Sequence, residues 1–219
     1  SVLRNPLASA STIGVSQGAA FGAAFAIIAL GGGMMSAGST GAQLNVNNPI
    51  VTTLCAFFFA MVSTIFVRCL SRFREINAST LVLAGVALSS LFSAGTTLLE
   101  YFADDVRVAA VVYWTFGDLG STFWKEILIM GTVVIFAAIY FPLNSWNYNA
   151  MQGGEETAKG LGVKTQSTIL CSMVVGSFTA AVIVSYIGII SFVGLIAPHL
   201  VRKFVGSDYR YLLPAAGLA

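Results

Sequence analysis

Ser16 stands in GVSQG (14–18). This satisfies G-x-S-x-G, the pattern that in α/β-hydrolases presents a serine nucleophile on a strained strand-to-helix turn. Such chemistry needs a base, and the chain holds one histidine, His199, directly after Pro198. The surroundings argue for another role. Gly14, Gly18 and Gly22 recur at four-residue spacing inside an apolar run, a small-xxx-small stripe that lets two membrane helices approach closely. Helix packing is the expected use, and a membrane-embedded serine hydrolase built on Ser16 and His199 is kept as an alternative.

Other reactive groups are scattered. Structural zinc takes four ligands and catalytic zinc three, so His199 alone makes no metal site. Cys55, Cys69 and Cys171 have no metal-like or redox-like spacing, and Asp104–Asp105 is an isolated acidic pair. No Walker A or H-E-x-x-H pattern occurs. The expectation is a chain with no catalytic residues, no metal and no cofactor of its own, and therefore not an enzyme.

Two further patterns could act on a solute or a partner. Gly85, Ser89, Ser93, Thr96 and Glu100 share one face of a helix. They read either as a helix contact glued by hydroxyls or as the wall of a weakly sticky pathway that binds without trapping. The second pattern is MQGGEETAKGLGV (151–163), a charged, glycine-bracketed segment. Gly153 and Gly154 stop what precedes them. Glu155 and Glu156 then occupy a first helical turn, where the dipole favours carboxylates, and Lys159 lies four residues after Glu155. Gly160 and Gly162 supply left-handed C-terminal positions. The spacing predicts a short surface helix defined at both ends, a rigid knob shaped for a partner.

The elements carrying these residues are set by composition. Of 219 residues, 57% are hydrophobic and only 9% charged, with a mean hydropathy of +0.84. A soluble domain carries about 25% charged residues, so the chain is expected to be an integral membrane protein lying in a lipid bilayer. A net charge of +2 gives no basic face for nucleic acid. Runs of roughly 20 apolar residues cross a bilayer core, and six are candidates: 13–31, 50–67, 80–99, 126–141, 166–187 and 188–204. The last two nearly fuse and read as a tight turn or broken helix. The stretch 108–120 is too short to span and reads as interfacial or re-entrant.

Arg4, Arg68, Arg72, Arg74, Lys159, Lys164, Arg202, Lys203 and Arg210 fall on one side of this arrangement, against Arg107 and Lys125 on the other. The cation-rich side is expected to be cytoplasmic, which puts residues 151–163 there. The span interiors carry no Asp, Glu, Lys or Arg. An ion-coupled secondary transporter, the other alternative, usually keeps an ionisable group at that depth. The expectation is a single transmembrane domain over 1–219, an all-α polytopic bundle of about six spans cut at both ends from a longer protein.

Several stretches then carry a resemblance. LRNPLA (3–8) with GVSQGAAFGA (14–23), LVLAGVALSSLFSA (81–94), YWTFGDL (113–119), GEETAKGLGV (154–163) and GIISFVGLIAPHLVRKFVGSDYRYLLP (188–214) are similar, in order, to the FecCD-type permease subunits of ATP-binding-cassette (ABC) importers for iron-siderophores, haem and cobalamin. SAST (9–12), Ile189 and Ser191 depart from the family pattern, and GGGMMSAGSTGAQLNVNNP (31–49) is a long outer loop for its position. The resemblance implies a ten-helix permease of the inner or plasma membrane, of which this chain would hold the third helix to the start of the ninth. It also implies a second permease copy, two cytoplasmic ATPase subunits that hold the ATP, and an extracytoplasmic solute-binding protein. Gly154, Glu155, Glu156, Lys159, Gly160, Leu161 and Gly162 would be the ATPase-coupling segment. Ser79 and Thr80 would be gate residues at the cytoplasmic start of their helix, followed along the path by Gly85, Ser89, Ser93 and Thr96. Arg107 and Lys125 are the outer cations available to the binding protein.

Overall fold

The computed structural model describes residues 14–31, 33–36, 43–46, 49–73, 78–120, 122–190, 193–206 and 208–218. Four helices among them are long and apolar enough to cross a membrane. They are α2 (Pro49–Phe73), α3 (Ala78–Tyr101), α5 (Trp124–Leu143) and α8 (Thr165–Ile187). Each contains its candidate run and extends past it by at most six residues at either end. Glu126 fixes the start of α5 by accepting a 3.0 Å hydrogen bond from the Phe123 N–H.

The first candidate, 13–31, becomes the shorter helix α1 (Val15–Ile28), about 21 Å long. Its buried positions occur on every side, from Val15 and Ser16 through Ala19, Gly22 and Ala23 to Ile27, as expected of an apolar helix enclosed by protein. The small-residue stripe explains the enclosure. A Cβ at Gly18 would stand 2.8 Å from the Phe59 carbonyl oxygen, and one at Gly22 would run into the Cys55 carbonyl. Phe21, Phe59 and Phe92 fill the space around this seam, the first two edge to face at 4.9 Å.

The bundle has two distinct ends. Phe57 of α2 meets Phe178 of α8 at 5.9 Å, and Val67 and Ile169 belong to one cluster, so α2 and α8 run antiparallel. Arg68 and Lys164 therefore share an end. At the opposite end, Arg107 Nη1 donates to the carbonyl of Ile28 at 2.6 Å. Between α3 and α5 the interfacial stretch forms α4 (Asp105–Phe116), which packs back along α1 as a re-entrant helix does. A two-stranded antiparallel ribbon, β1 (Gly33–Ser36) with β2 (Gln43–Val46), pairs Gly33 with Val46 and Ser36 with Gln43, within the stretch expected to be loop.

The sixth candidate, 188–204, differs most. Gly188, at φ +84°, ends α8, and the next helix, α9 (Val193–Val205), has 13 residues, about 20 Å. That is short of a bilayer core of about 30 Å. The chain nonetheless returns to the Lys164 end. Asp208 bonds Asn149 at 2.7 Å, and Tyr148 next to it bonds Ser172 in the first third of α8 at 2.7 Å. The return leg is thus a broken helix, anchored where Val201 packs on Tyr148, Tyr209 and Leu212, while Ile196, Leu200 and Phe204 stay exposed. At the turn, Gly117 and Gly188 meet backbone to backbone: a Cβ on Gly188 would lie 2.7 Å from the Gly117 Cα. The Asp118 N–H donates to the Ile187 carbonyl at 2.8 Å.

Candidate functional site

The glycine-bracketed segment is a helix, α7 (Glu155–Gly160), on the Lys164 end. Gly154 enters it at φ +127°. Its exit is a Schellman cap: the Val163 N–H donates to the Ala158 carbonyl at 3.0 Å, and the Gly162 N–H to the Lys159 carbonyl at 2.9 Å, with Gly162 left-handed at φ +81°. Only Gly162 takes the left-handed position. Gly160, expected to share that role, is the last helical residue, because one left-handed residue completes the cap. Ala158 is fully buried, while Leu161 is 68% exposed and Glu156 stands in solvent. The side chain of Glu155, and with it the expected pairing to Lys159, lies outside the described residues.

This knob sits on a helix the sequence reading missed, α6 (Ser145–Gln152). Asn149 Nδ2 donates to Asp208 Oδ1 at 2.7 Å, and Asn149 Oδ1 accepts the Tyr209 N–H at 3.0 Å. The two bonds close a ring between α6 and the start of the last helix, α10 (Tyr209–Leu218). Asp208 also caps α10, accepting the Arg210 N–H at 3.0 Å. That bond, then the Asn149 amide, then the Arg210 charge hold the Asp208 carboxyl below its ordinary range. The Arg210 guanidinium stacks 3.4 Å over the Trp146 ring. Behind this polar ring, Tyr148, Tyr209 and Leu212 form a buried cluster with Phe141, Val201 and Leu213.

The hydroxyl stripe of α3 divides. Gly85 and Ser89 face Gly14, whose added Cβ would lie 3.3 Å from both the Gly85 carbonyl oxygen and Ser89 Oγ, so this half is a helix contact. Ser93, Thr96, Thr97 and Glu100 instead line an open cleft of about 250 Å³, bordered by Gln17 and Ala20 of α1 and by Val112, Thr115 and Phe116 of α4. Thr96 and Thr97 return their hydroxyl protons to the Phe92 and Ser93 carbonyls at 3.0 and 3.1 Å, leaving oxygen lone pairs toward the space. Ser79 and Thr80 lie in the first turn of α3, and their side chains fall outside the described residues. Ser16 is buried in α1 and His199 is exposed on α9, so the hydrolase alternative finds no presented nucleophile.

The FecCD transport family matches residues 1–219. The chain belongs to the FecCD transport family. A Methanocaldococcus jannaschii protein whose name classes it as an ABC transporter permease is 52% identical over 99% of this chain and 61% of its own length. The hemin transport system permease of Yersinia pestis is 30% identical over 99% of this chain and 62% of its own. A solved structure classed as a metal-chelate type ABC transporter, in an inward-facing conformation, superposes with a TM-score of 0.85 at 29% identity. It covers 99% of this chain and 65% of that one. The chain thus spans about three fifths of the length of the curated relatives it matches.

Within this FecCD chain the two cations at the end opposite Lys164 differ. Arg107 is committed internally, capping α1 through the Ile28 carbonyl with Asp104 Oδ2 3.7 Å from its Nε. Lys125 is exposed at the start of α5. The residues that sequence reasoning missed are Trp146, Asn149, Asp208 and Arg210. Asp208 and Arg210 stood inside the quoted stretch 188–214, but no spacing told that their partners lie about 60 residues earlier. Among the described residues no cluster of three metal-ligating side chains occurs.

Proposed function

We propose that this chain forms the transmembrane path of an ABC importer for a metal chelate such as haem, cobalamin or an iron-siderophore, driven by separate ATPase subunits. Family membership and the hemin-named relative support the transport class. The observation that carries the reading is α7, a capped, outward-facing knob at the cation-rich end of an otherwise lipid-soluble bundle. By the positive-inside asymmetry that end is cytoplasmic, so residues 151–163 face the ATPases, and the host bilayer is the cell's inner or plasma membrane. Leu161 and Glu156 are the exposed contact points, and Gly154 and Gly162 aim them. A second permease copy completes the path. Ser79 and Thr80 gate its cytoplasmic end, and Ser93 and Thr96 offer hydroxyl oxygens along it. An extracytoplasmic binding protein docks at the far end, where Lys125 is the available cation and Arg107 contributes mainly by holding α1.

The test is a charge reversal, Glu155→Lys with Glu156→Lys and Lys159→Glu, in the complete transporter. Uptake into vesicles is expected to fall at least tenfold while the ATPase still assembles and hydrolyses ATP. Wild-type uptake by that variant would rule out α7 as the coupling element.

A further inference from the structure

Whatever pushes α7 must move something else, and the structure shows what is fastened to it. α7 leans on α6 and α8. α6 meets α8 through the Tyr148–Ser172 pair. Its junction with α10 is denser. The Asn149 amide makes two bonds to Asp208 and Tyr209, Arg210 lies on Trp146, and the Tyr148 and Tyr209 rings meet edge to face at 5.9 Å. A two-bond amide ring fixes orientation as well as distance, because both ends must break together for the helices to rotate. α10 in turn packs on α9, the return leg that leads back to the Gly117–Gly188 contact.

We infer that Asn149 and Asp208 form a latch that makes α6, α7 and α10 one moving body, so that displacement of the knob is delivered to the α9–α10 return leg. They are positioning residues, touching neither cargo nor nucleotide. The inference rests on the transport reading and adds to it the place where the stroke enters the membrane domain. Asp208 suits the role because its carboxylate serves both helices at once, one oxygen accepting the Asn149 amide and the Arg210 N–H. Losing the latch leaves each helix folded but uncouples their motions.

The experiment uses the complete transporter in proteoliposomes, with hemin, cyanocobalamin and a ferric hydroxamate siderophore as probes, and reads solute taken up per ATP hydrolysed. Asn149→Ala is expected to lower that ratio five- to tenfold with hydrolysis and assembly retained. Asn149→Asp, which sets two carboxylates face to face, is expected to do the same. The double exchange Asn149→Asp with Asp208→Asn restores a donor opposite an acceptor, and with it the wild-type ratio. A wild-type ratio in both single variants, or an assembled exchange variant that stays uncoupled, would overturn the latch. So would single variants that fail to assemble while the exchange variant assembles, since the pair would then serve folding alone. Absence of ATP-dependent uptake of every probe by the unmodified transporter would overturn the functional reading and the latch with it.

Discussion

The seam between α1 and α2 and the junction between α6 and α10 are held by opposite means. At the seam, glycines remove side chains so that backbones touch: Gly14, Gly18 and Gly22 leave no room for a methyl group against Ser63, Phe59 and Cys55. At the junction, side chains reach across, through the Asn149 amide on Asp208 and the Tyr209 N–H and through the Arg210–Trp146 stack. Lipid supplies no hydrophobic drive between helices, so cohesion there comes from close approach. At the aqueous end, directional polar bonds specify which helix meets which, and they yield to a change of charge as well as to a change of volume.

The largest effect expected from breaking this contrast is at Gly22. Gly22→Val should destabilise the protein by about 3 kcal/mol, since the added atoms meet backbone that cannot step aside. Gly131→Val, where no atom lies within 4 Å, is the control; thermal midpoints in detergent compare the two. Next comes Gly162→Ala, which forces a side chain into the left-handed region at a cost of about 1 kcal/mol. Gly160→Ala should stabilise α7 slightly, because its position is helical and open. Hydrogen exchange across 155–163 reads both. Tyr148→Phe removes one buried bond to Ser172 and should cost about 1 kcal/mol; the Ser172 hydroxyl keeps its 2.6 Å bond to the Thr168 carbonyl.

The smallest effect is in pH. Because the Asp208 carboxyl titrates below its ordinary value of 3.8, its contribution is complete above that value and is lost only as pH falls through the lower folded pKa. The junction should therefore hold at pH 5. A carbon-13 titration of that carboxyl should show a midpoint under 3.8 in the folded protein, and Asp208→Asn should abolish the pH dependence.

The pattern of what was legible follows the same divide. Hydropathy located α2, α3, α5 and α8 to within a few residues at most ends, and glycine spacing announced the α1 seam, because both signals are local. The knob was legible from its punctuation, apart from the division of labour between Gly160 and Gly162. α6 was not. SWNYNAMQ has neither apolar length nor a cap, and it is secured by residues about 60 positions away. The break in the return leg was legible from Gly188, whereas the shortness of α9 was not, because hydropathy counts apolar residues over 188–204 without registering where the helix begins. The ribbon between α1 and α2 was likewise hidden in a glycine-rich stretch, where the alternation of Gln43, Leu44, Asn45 and Val46 is only four residues long.

The meeting of Gly117 and Gly188 has a mechanical corollary. With no side chain between the two turns, backbone lies on backbone, and the directional bond from Asp118 to the Ile187 carbonyl fixes their alignment as well as their spacing. The contact is a seat machined to one fit: a close-fitting joint keyed by a single bond. A substituent on either glycine would act as grit in it.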